Sequence, residues 1–263
     1  MTNFPRSILL LLILLSWPIP AGAKMATILV YHRFGPTVAD SMTTRTETFA
    51  RQLAAMRQQG FHIVPLAEVV AGLKGQGELP EKAVAITVDD GHRTVYTELL
   101  PIIKRERLPV TLFIYPSAIS NASYAMTWEE IREMQATGLV AIGSHTYWHP
   151  NFKVEKRRLA ADAYAALVKM QLEKSRATLK RRLGVETDIL AWPFGITDPE
   201  LQAAASRAGY QAALALGERI ASDQDPALAL PRFLIVDAVG VKGLLGRLQQ
   251  GAAKSPANRS SSE

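Results

Sequence analysis

The sequence predicts an α/β fold in which a parallel sheet closes imperfectly as a barrel of seven or eight strands, within a single domain. Three observations carry this prediction. The chain has 263 residues, 48% hydrophobic and 21% charged, enough for one sizeable core and in the size range where α/β barrels stay undivided. Eight short β-rich runs alternate with helix-like segments. One of them, Ala83–Val88, is apolar but for a single Thr, as in a strand buried on both faces of a parallel sheet.

The elements follow in order. Thr27–Tyr31 reads as the first strand; Phe49, Leu53 and Met56 then share one helical face, and Gly60 stops that helix. Phe61–Val64 reads as a strand, Leu66–Leu73 as a short helix ending at Gly75, and Ala83–Val88 as the third strand. A helix over about Thr94–Glu106 leads to the strand Val110–Ile114. Thr127-Trp128-Glu129-Glu130 has the form of a capping box, which opens a helix that Gly138 ends; Trp128 falls on its core side. Val140–Ile142 is the fifth strand, and Lys153–Arg182 reads as one long helix. Ile189–Trp192 is the sixth strand, and Asp198-Pro199 opens a helix that Gly209 closes. Gln211–Leu216, Phe233–Val236 and a helix near Val241–Gln249 complete the set.

The two ends read differently. Residues 1–23 carry one charge at Arg6, an apolar run Ile8–Leu15 and the ending Ala21-Gly22-Ala23, the three-part pattern of a cleaved signal peptide. The run is well short of the ~20 residues of a membrane span, so an exported chain, periplasmic or secreted, without a stable span is expected. The folded domain then covers residues 24–251, and 252–263 form a polar, Ser-rich tail.

Composition excludes several functions. No Cys is present, which removes a disulfide scaffold, a thiol nucleophile and an iron–sulfur cluster. Any metal must be held by carboxylates and by the five histidines His32, His62, His92, His145 and His149. The net charge is +6, with much of the basic excess at Lys156-Arg157-Arg158 and Lys180-Arg181-Arg182. Acidic Glu155, Asp162 and Glu173 are interspersed, so a solvated helix face is the simpler account. No nucleic-acid motif accompanies it; contact with an anionic envelope polymer is the partner it allows.

Chemistry in a parallel barrel sits where strands end and βα loops begin, and polar residues collect at such places. His32 follows the first strand and Asp89-Asp90-Gly91 the third; His145 and His149 follow the fifth, and Trp192-Pro193-Phe194-Gly195 the sixth. Asp-Gly alone is an ordinary turn, but two adjacent carboxylates at the mouth of an apolar strand need a compensating cation. Strand alternation points them to opposite faces, so the turn at Gly91 must bend one toward the other. Two imidazoles four residues apart suit one metal ion, and Pro150 favours a loop there. Asp90, His145 and His149 would supply three ligands and leave positions open for water and substrate.

These motifs resemble the polysaccharide deacetylases with a NodB-type domain, carbohydrate esterase family 4, in the secreted branch that acts on poly-N-acetylglucosamine. Thr87-Val88-Asp89-Asp90-Gly91 is similar to the family's T-F-D-D-G motif, and His145 through His149-Pro150 to its H-[ST]-x-x-H-P motif. Trp192-Pro193-Phe194-Gly195 and the opening Leu29-Val30-Tyr31-His32 point to that branch. The resemblance implies a distorted (β/α) barrel and metal-dependent removal of acetyl groups from a polysaccharide. It also implies that Asp90, His145 and His149 hold the metal, that Asp89 is the general base, and that the Phe194 amide helps hold the oxyanion. The metal is expected to be Zn, with Co, Ni, Mn or Fe also suited to the donor set.

The sequence departs from the family pattern in three places. Ala191 stands where an Arg normally orients the base, no Trp follows Trp192, and no His follows His149; Leu230-Pro231-Arg232-Phe233 takes roughly the place of the late His motif. His32, ending the first strand, is the candidate general acid, with His92 a weaker one. Tyr31, Trp192, Pro193, Phe194 and Gly195 are the expected substrate contacts, with Tyr147 and Trp148 as further aromatics. Two alternatives share the scaffold: a catalytically degenerate glycan-binding relative, and a peptidoglycan or xylan deacetylase.

Overall fold

In the computed structural model, which describes residues 23–252, the third strand of the sequence hides a period of two inside an apolar run. Val84, Ile86 and Val88 point outward into the large cluster under the helices, whereas Ala83 and Ala85 point into the barrel. The same alternation sorts the other strands, because successive strand side chains face opposite ways. Inside lie Ala26, Ala191 and Ala212 with Ile28 and Leu214 around Phe113, and outside lie Leu29, Val110 and Leu112 among others. Gly143 leaves the room that Phe113 needs, since a Cβ there would lie 2.2 Å from the ring.

The strands are β1 (Met25–Tyr31), β2 (Arg33–Gly35), β3 (Thr43–Arg45), β4 (His62–Ile63), β5 (Ala83–Asp90), β6 (Val110–Ile114), β7 (Val140–Ser144), β8 (Ile189–Ala191), β9 (Ala212–Leu214), β10 (Ala221–Ser222) and β11 (Phe233–Leu234). The helices are α1 (Thr46–Gln58), α2 (Leu66–Leu73), α3 (Leu100–Glu106), α4 (Trp128–Ala136), α5 (Phe152–Arg158), α6 (Ala161–Leu183), α7 (Pro199–Arg207) and α8 (Gly240–Ala252). β1, β5, β6, β7, β8 and β9 pair side by side, all parallel. β11 closes the ring: it pairs with β1, and Leu230 just before it bridges Leu214 of β9. One bridge and a two-residue strand make a weak seam, so the barrel is distorted and has seven strands. Leu66, Val69, Val70 and Leu73 of α2 pack on the interior cluster and stopper the end opposite the βα loops.

Several local expectations hold. Thr127 Oγ1 accepts from the Glu130 N–H at 3.1 Å while Glu130 Oε2 accepts from the Thr127 N–H at 2.8 Å, the reciprocal capping box. Asp198 caps α7 by accepting from the Leu201 N–H at 2.9 Å. Trp128 is buried.

Others are corrected. The run Phe61–Val64 yields only two paired residues, which add to the start of β5 outside the ring. The helix expected over Thr94–Glu106 begins as a π-turn, Val95–Leu99, before α3. The long helix is two, α5 and α6, parted at Leu159 and Ala160 in extended conformation. Its apolar phase slips there: Leu159 and Tyr164, five residues apart, both pack on the cluster around Trp192, and five residues do not share a helix face. The short strands β2, β3 and β10 lack the apolar periodicity that marks the others. Of the two ends, the signal-like segment through residue 22 and the tail from 253 lie outside the described residues, and Ala252, expected in the tail, ends α8. Among the described residues no helix is long and apolar enough to cross a membrane.

Candidate active site

Asp89 is the last inward position of β5 and is almost fully buried. Arg232 grips it with both arms: Nη1 donates to Oδ1 at 2.8 Å and Nη2 to Oδ2 at 2.7 Å. The same guanidinium also bonds Thr87 Oγ1 at 3.1 Å and is itself 1% exposed. Such a fork-to-fork pair fixes the carboxylate plane as well as its charge. Burial pushes the Asp89 carboxyl up, but the Arg232 guanidinium, then His145, outweigh it and hold the group at about 2. Asp89 is therefore ionised at neutral pH.

Alternation would turn Asp90 outward. Instead Asp90 (φ 75°) and Gly91 (φ 76°) both take left-handed backbone and swing the second carboxylate to the same side as the first. His145 follows β7 directly, and its Nδ1–H donates to the Ala191 carbonyl at 2.7 Å. That bond fixes the tautomer and leaves Nε2 a lone-pair donor, 3.6 Å from Asp90 Oδ1 and 3.7 Å from Asp89 Oδ2. His149 Nε2 also lies 3.6 Å from Asp90 Oδ1. Burial first, against the pull of Asp89, holds the His145 imidazole at about 3 and lowers that of His149, so both rings are neutral at pH 7. One atom from each of Asp90, His145 and His149 lies within 4.8 Å of the others. Neutral imidazoles and a carboxylate converging in this way can hold a divalent cation.

The loop between the two histidines is held from outside the barrel. Gln171 of α6, fully buried, accepts from the N–H groups of both Tyr147 (3.1 Å) and Trp148 (2.9 Å). Ser144 Oγ accepts from the Thr146 N–H and from Tyr210 Oη. Thr146 (φ 63°) and His149 (φ 63°) are left-handed, as is Phe194 (φ 57°). With Asp90, four such non-glycine residues gather here, each costing of order 1–3 kcal/mol that the surrounding structure must offset.

The expected site residues divide. Asp89, Asp90, His145 and His149 come together, and His32 follows Tyr31, which pairs with Val88 just before Asp89. His32 Nδ1 is buried with no hydrogen-bond partner. Phe194 is 55% exposed, its ring 4.6 Å from that of His149. Pro193 is buried, and Gly195 (φ 67°) packs so closely that a Cβ would lie 2.6 Å from Leu216, so these two build the turn that presents Phe194.

Two expected substrate contacts are core residues instead. Tyr31 alternates with His32, so it faces away from the site; its hydroxyl donates to Gln52 Oε1 at 3.0 Å and its ring packs on Phe34 and Phe49. Trp192 likewise points outward beneath α5 and α6, with Nε1 donating to the Leu228 carbonyl at 2.9 Å. Tyr147 has one ring face covered by Lys174 Nζ at 4.0 Å, while Trp148 is 39% exposed. His92 accepts at Nδ1 from the Thr94 N–H and stacks its ring on Tyr124.

Arg232 is the functional residue that motif reading missed. It holds the Asp89 carboxylate, while Ala191 offers its carbonyl to His145 Nδ1. The signal was a lone Arg between Pro231 and Phe233 in an otherwise apolar stretch, since a buried guanidinium needs a buried carboxylate.

Comparison with known proteins agrees with this geometry. The family model for polysaccharide deacetylase matches residues 76–213. The poly-beta-1,6-N-acetyl-D-glucosamine N-deacetylase of Escherichia coli (strain K12) is 24% identical over 86% of this chain and 39% of its own length. The protein of that name from Staphylococcus aureus (strain MRSA252) is 27% identical over 62% of this chain and 58% of its own. The chain thus spans less than two thirds of the length of both relatives. Among solved structures, IcaB from Ammonifex degensii superposes with a TM-score of 0.75 at 27% identity, covering 86% of this chain and 97% of that one. Streptococcus pyogenes deacetylase PplD, in complex with acetate, shares the fold with a TM-score of 0.76 at 22% identity, over 86% and 99%. With more than half of its length matched and the motif residues converging in one site, the chain belongs to the polysaccharide deacetylase family.

Proposed function

We propose that this protein is a metal-dependent hydrolase that removes acetyl groups, above all the N-acetyl of N-acetylglucosamine units, from an extracytoplasmic polysaccharide. The observation that carries the reading is the Asp89–Arg232 pair beside the convergent Asp90, His145 and His149. A glycan-binding relative without catalysis has no use for a buried, clamped carboxylate next to a ligand set. The names of the Escherichia coli and Staphylococcus aureus relatives support the choice of polymer, and the signal-like first 23 residues support export.

Asp90, His145 and His149 would hold the cation, with Zn the best match to one carboxylate and two imidazoles. Such an ion supplies Lewis acidity toward the acetyl carbonyl and lowers the pKa of a water beside it. Asp89 would take the proton from the attacking water: each carboxylate oxygen spends one lone pair on Arg232 and keeps another free. The water oxygen bonds the carbonyl carbon, and the Phe194 N–H, in the first turn of a 3-10 helix, would donate to the oxyanion that results. When the C–N bond breaks the amine takes a proton, for which His32 is the candidate donor, and acetate leaves. Phe194 and Trp148 offer apolar faces to pyranose rings.

A panel of acetylated polymers tests the substrate. Acetate release from N-acetylglucosamine oligomers is expected to exceed that from acetylated xylan or peptidoglycan; the reverse order would reassign the polymer. Gln171 gives a further prediction. Gln171→Leu strands two loop N–H groups, so Zn²⁺ affinity measured by chelator competition is expected to fall about 10–100-fold, as when an outer partner of a metal ligand is lost.

A further inference from the structure

One flank of the site has no part in the mechanism above. Tyr115, just past β6, sets its ring 5.3 Å from that of His149 and 6.4 Å from that of His145. Its hydroxyl shares a hydrogen bond of 2.6 Å with the hydroxyl of Tyr124. The Tyr124 ring in turn stacks on His92, centroids 6.0 Å apart and planes within 13°. These rings make a continuous wall that starts at a candidate metal ligand and runs outward along the barrel mouth.

The wall is held in place by the same loops that carry the ligands. The Met126 N–H donates to the Gly91 carbonyl at 3.0 Å and the Arg93 N–H to the Tyr124 carbonyl at 2.8 Å, tying it to the Asp90-Gly91 turn. The Ser117 N–H donates to the Tyr147 carbonyl at 3.0 Å, tying it to the loop between the two histidines. A segment placed so rigidly loses little freedom when a ligand binds.

Tyr124 is nevertheless 43% exposed. A pair of phenols uses one of its two O–H donors on itself and keeps the other donor and several lone pairs for outside partners. Phe194 and Trp148, the other exposed aromatics named above, present ring faces rather than paired hydroxyls. The mouth is therefore two-sided, with ring faces to stack on and a hydroxyl pair on the flank that Tyr115 and Tyr124 form. A pyranose has the same division between its faces and its hydroxyl edge.

We propose that Tyr115 and Tyr124 form a subsite that hydrogen-bonds the hydroxyl edge of the sugar unit next to the one losing its acetyl group, so that the enzyme prefers oligomers to single units. This rests on the deacetylase reading for the reacting unit. The Tyr115 ring lies 5.3 Å from that of His149, and its hydroxyl leads away to the exposed Tyr124, so the hydroxyl pair is directed from the reacting unit toward its neighbour.

The test uses Tyr124→Phe, which deletes one oxygen and keeps the ring, on a β-1,6-linked N-acetylglucosamine pentamer and on the single sugar. Losing a hydroxyl contact of this kind costs about three- to tenfold, so KM for the pentamer is expected to rise by that factor, more than kcat/KM for the single sugar changes. Tyr115→Phe should act alike, and the double variant should cost less than the two single effects combined, because the pair acts as one unit. Tyr96→Phe, whose hydroxyl bonds Glu133 on the outer surface, serves as a control and is expected to change neither substrate.

Equal losses on pentamer and single sugar would show a structural role and overturn the subsite. So would an unchanged KM for the pentamer. Pentamer affinity read by calorimetry, independent of turnover, separates the two claims. If the wild type binds the pentamer and releases no acetate, the deacetylase reading fails, and the subsite stands only if Tyr124→Phe weakens that binding three- to tenfold.

Discussion

Replacing Arg232 by Met is expected to destabilise the protein by about 3–5 kcal/mol, the cost of stranding one partner of a buried ion pair, and to lower turnover by about a hundredfold or more. The two effects share a cause. Asp89 is almost fully buried, and Arg232 meets both of its oxygens with charge-assisted hydrogen bonds. Without the guanidinium the carboxylate must be protonated, which removes the proposed base, or must draw water into the barrel, which leaves it without a fixed orientation. Arg232→Lys keeps the charge but not the fork, so it should recover part of the stability and little of the activity. Adding Asp89→Asn to Arg232→Met removes the orphaned charge, and stability should rise again while activity stays absent. Urea unfolding of the four proteins checks this, and wild-type stability in Arg232→Met would refute it. The pH dependence follows with a definite sign. The carboxyl of Asp89 lies at about 2 when folded and at about 3.9 when unfolded. The stabilisation is therefore complete above pH ~4 and is lost as pH falls through about 2.

Asp90→Asn is expected to separate function from stability. Asp90 adopts φ 75° beside the buried charge of Asp89. Asn tolerates the left-handed region equally well and removes the like-charge repulsion. The metal-free variant should unfold at a higher temperature than the metal-free wild type, by an increment of about 1 kcal/mol typical of relaxing a functional site. Zn²⁺ should raise the melting temperature of the wild type and leave that of the variant unmoved. A variant that keeps the Zn²⁺-dependent shift would remove Asp90 from the ligand set.

Much of this site is legible in the sequence because its parts are local. Asp89-Asp90-Gly91 and His145 to His149 each lie within five residues, directly after apolar runs that can only be buried strands. The eight strand-like runs appear as strands for the same reason, although Phe61–Val64 falls outside the ring. What escapes is long-range or depends on facing. Arg232 lies 143 residues from Asp89, and no spacing rule connects them. Tyr31 and Trp192 sit next to site residues in the chain, yet alternation turns both into the core. A run buried on both faces carries no polar alternation from which that facing could be read. The turn at Asp90 reverses the rule, and its left-handed backbone is visible only in three dimensions. The split between α5 and α6 is marked by a phase slip, without Pro or Gly at the break.

Acetate release from N-acetylglucosamine oligomers by residues 24–263, with and without Zn²⁺ or Co²⁺, compared with Asp89→Asn, tests the central claim most directly. The account predicts release that requires the metal and falls at least a hundredfold in the variant, while Zn²⁺ binding, which does not depend on Asp89, persists. Metal-bound protein that releases no acetate from these oligomers, from acetylated xylan or from peptidoglycan would contradict it, as would an Asp89→Asn protein as active as the wild type.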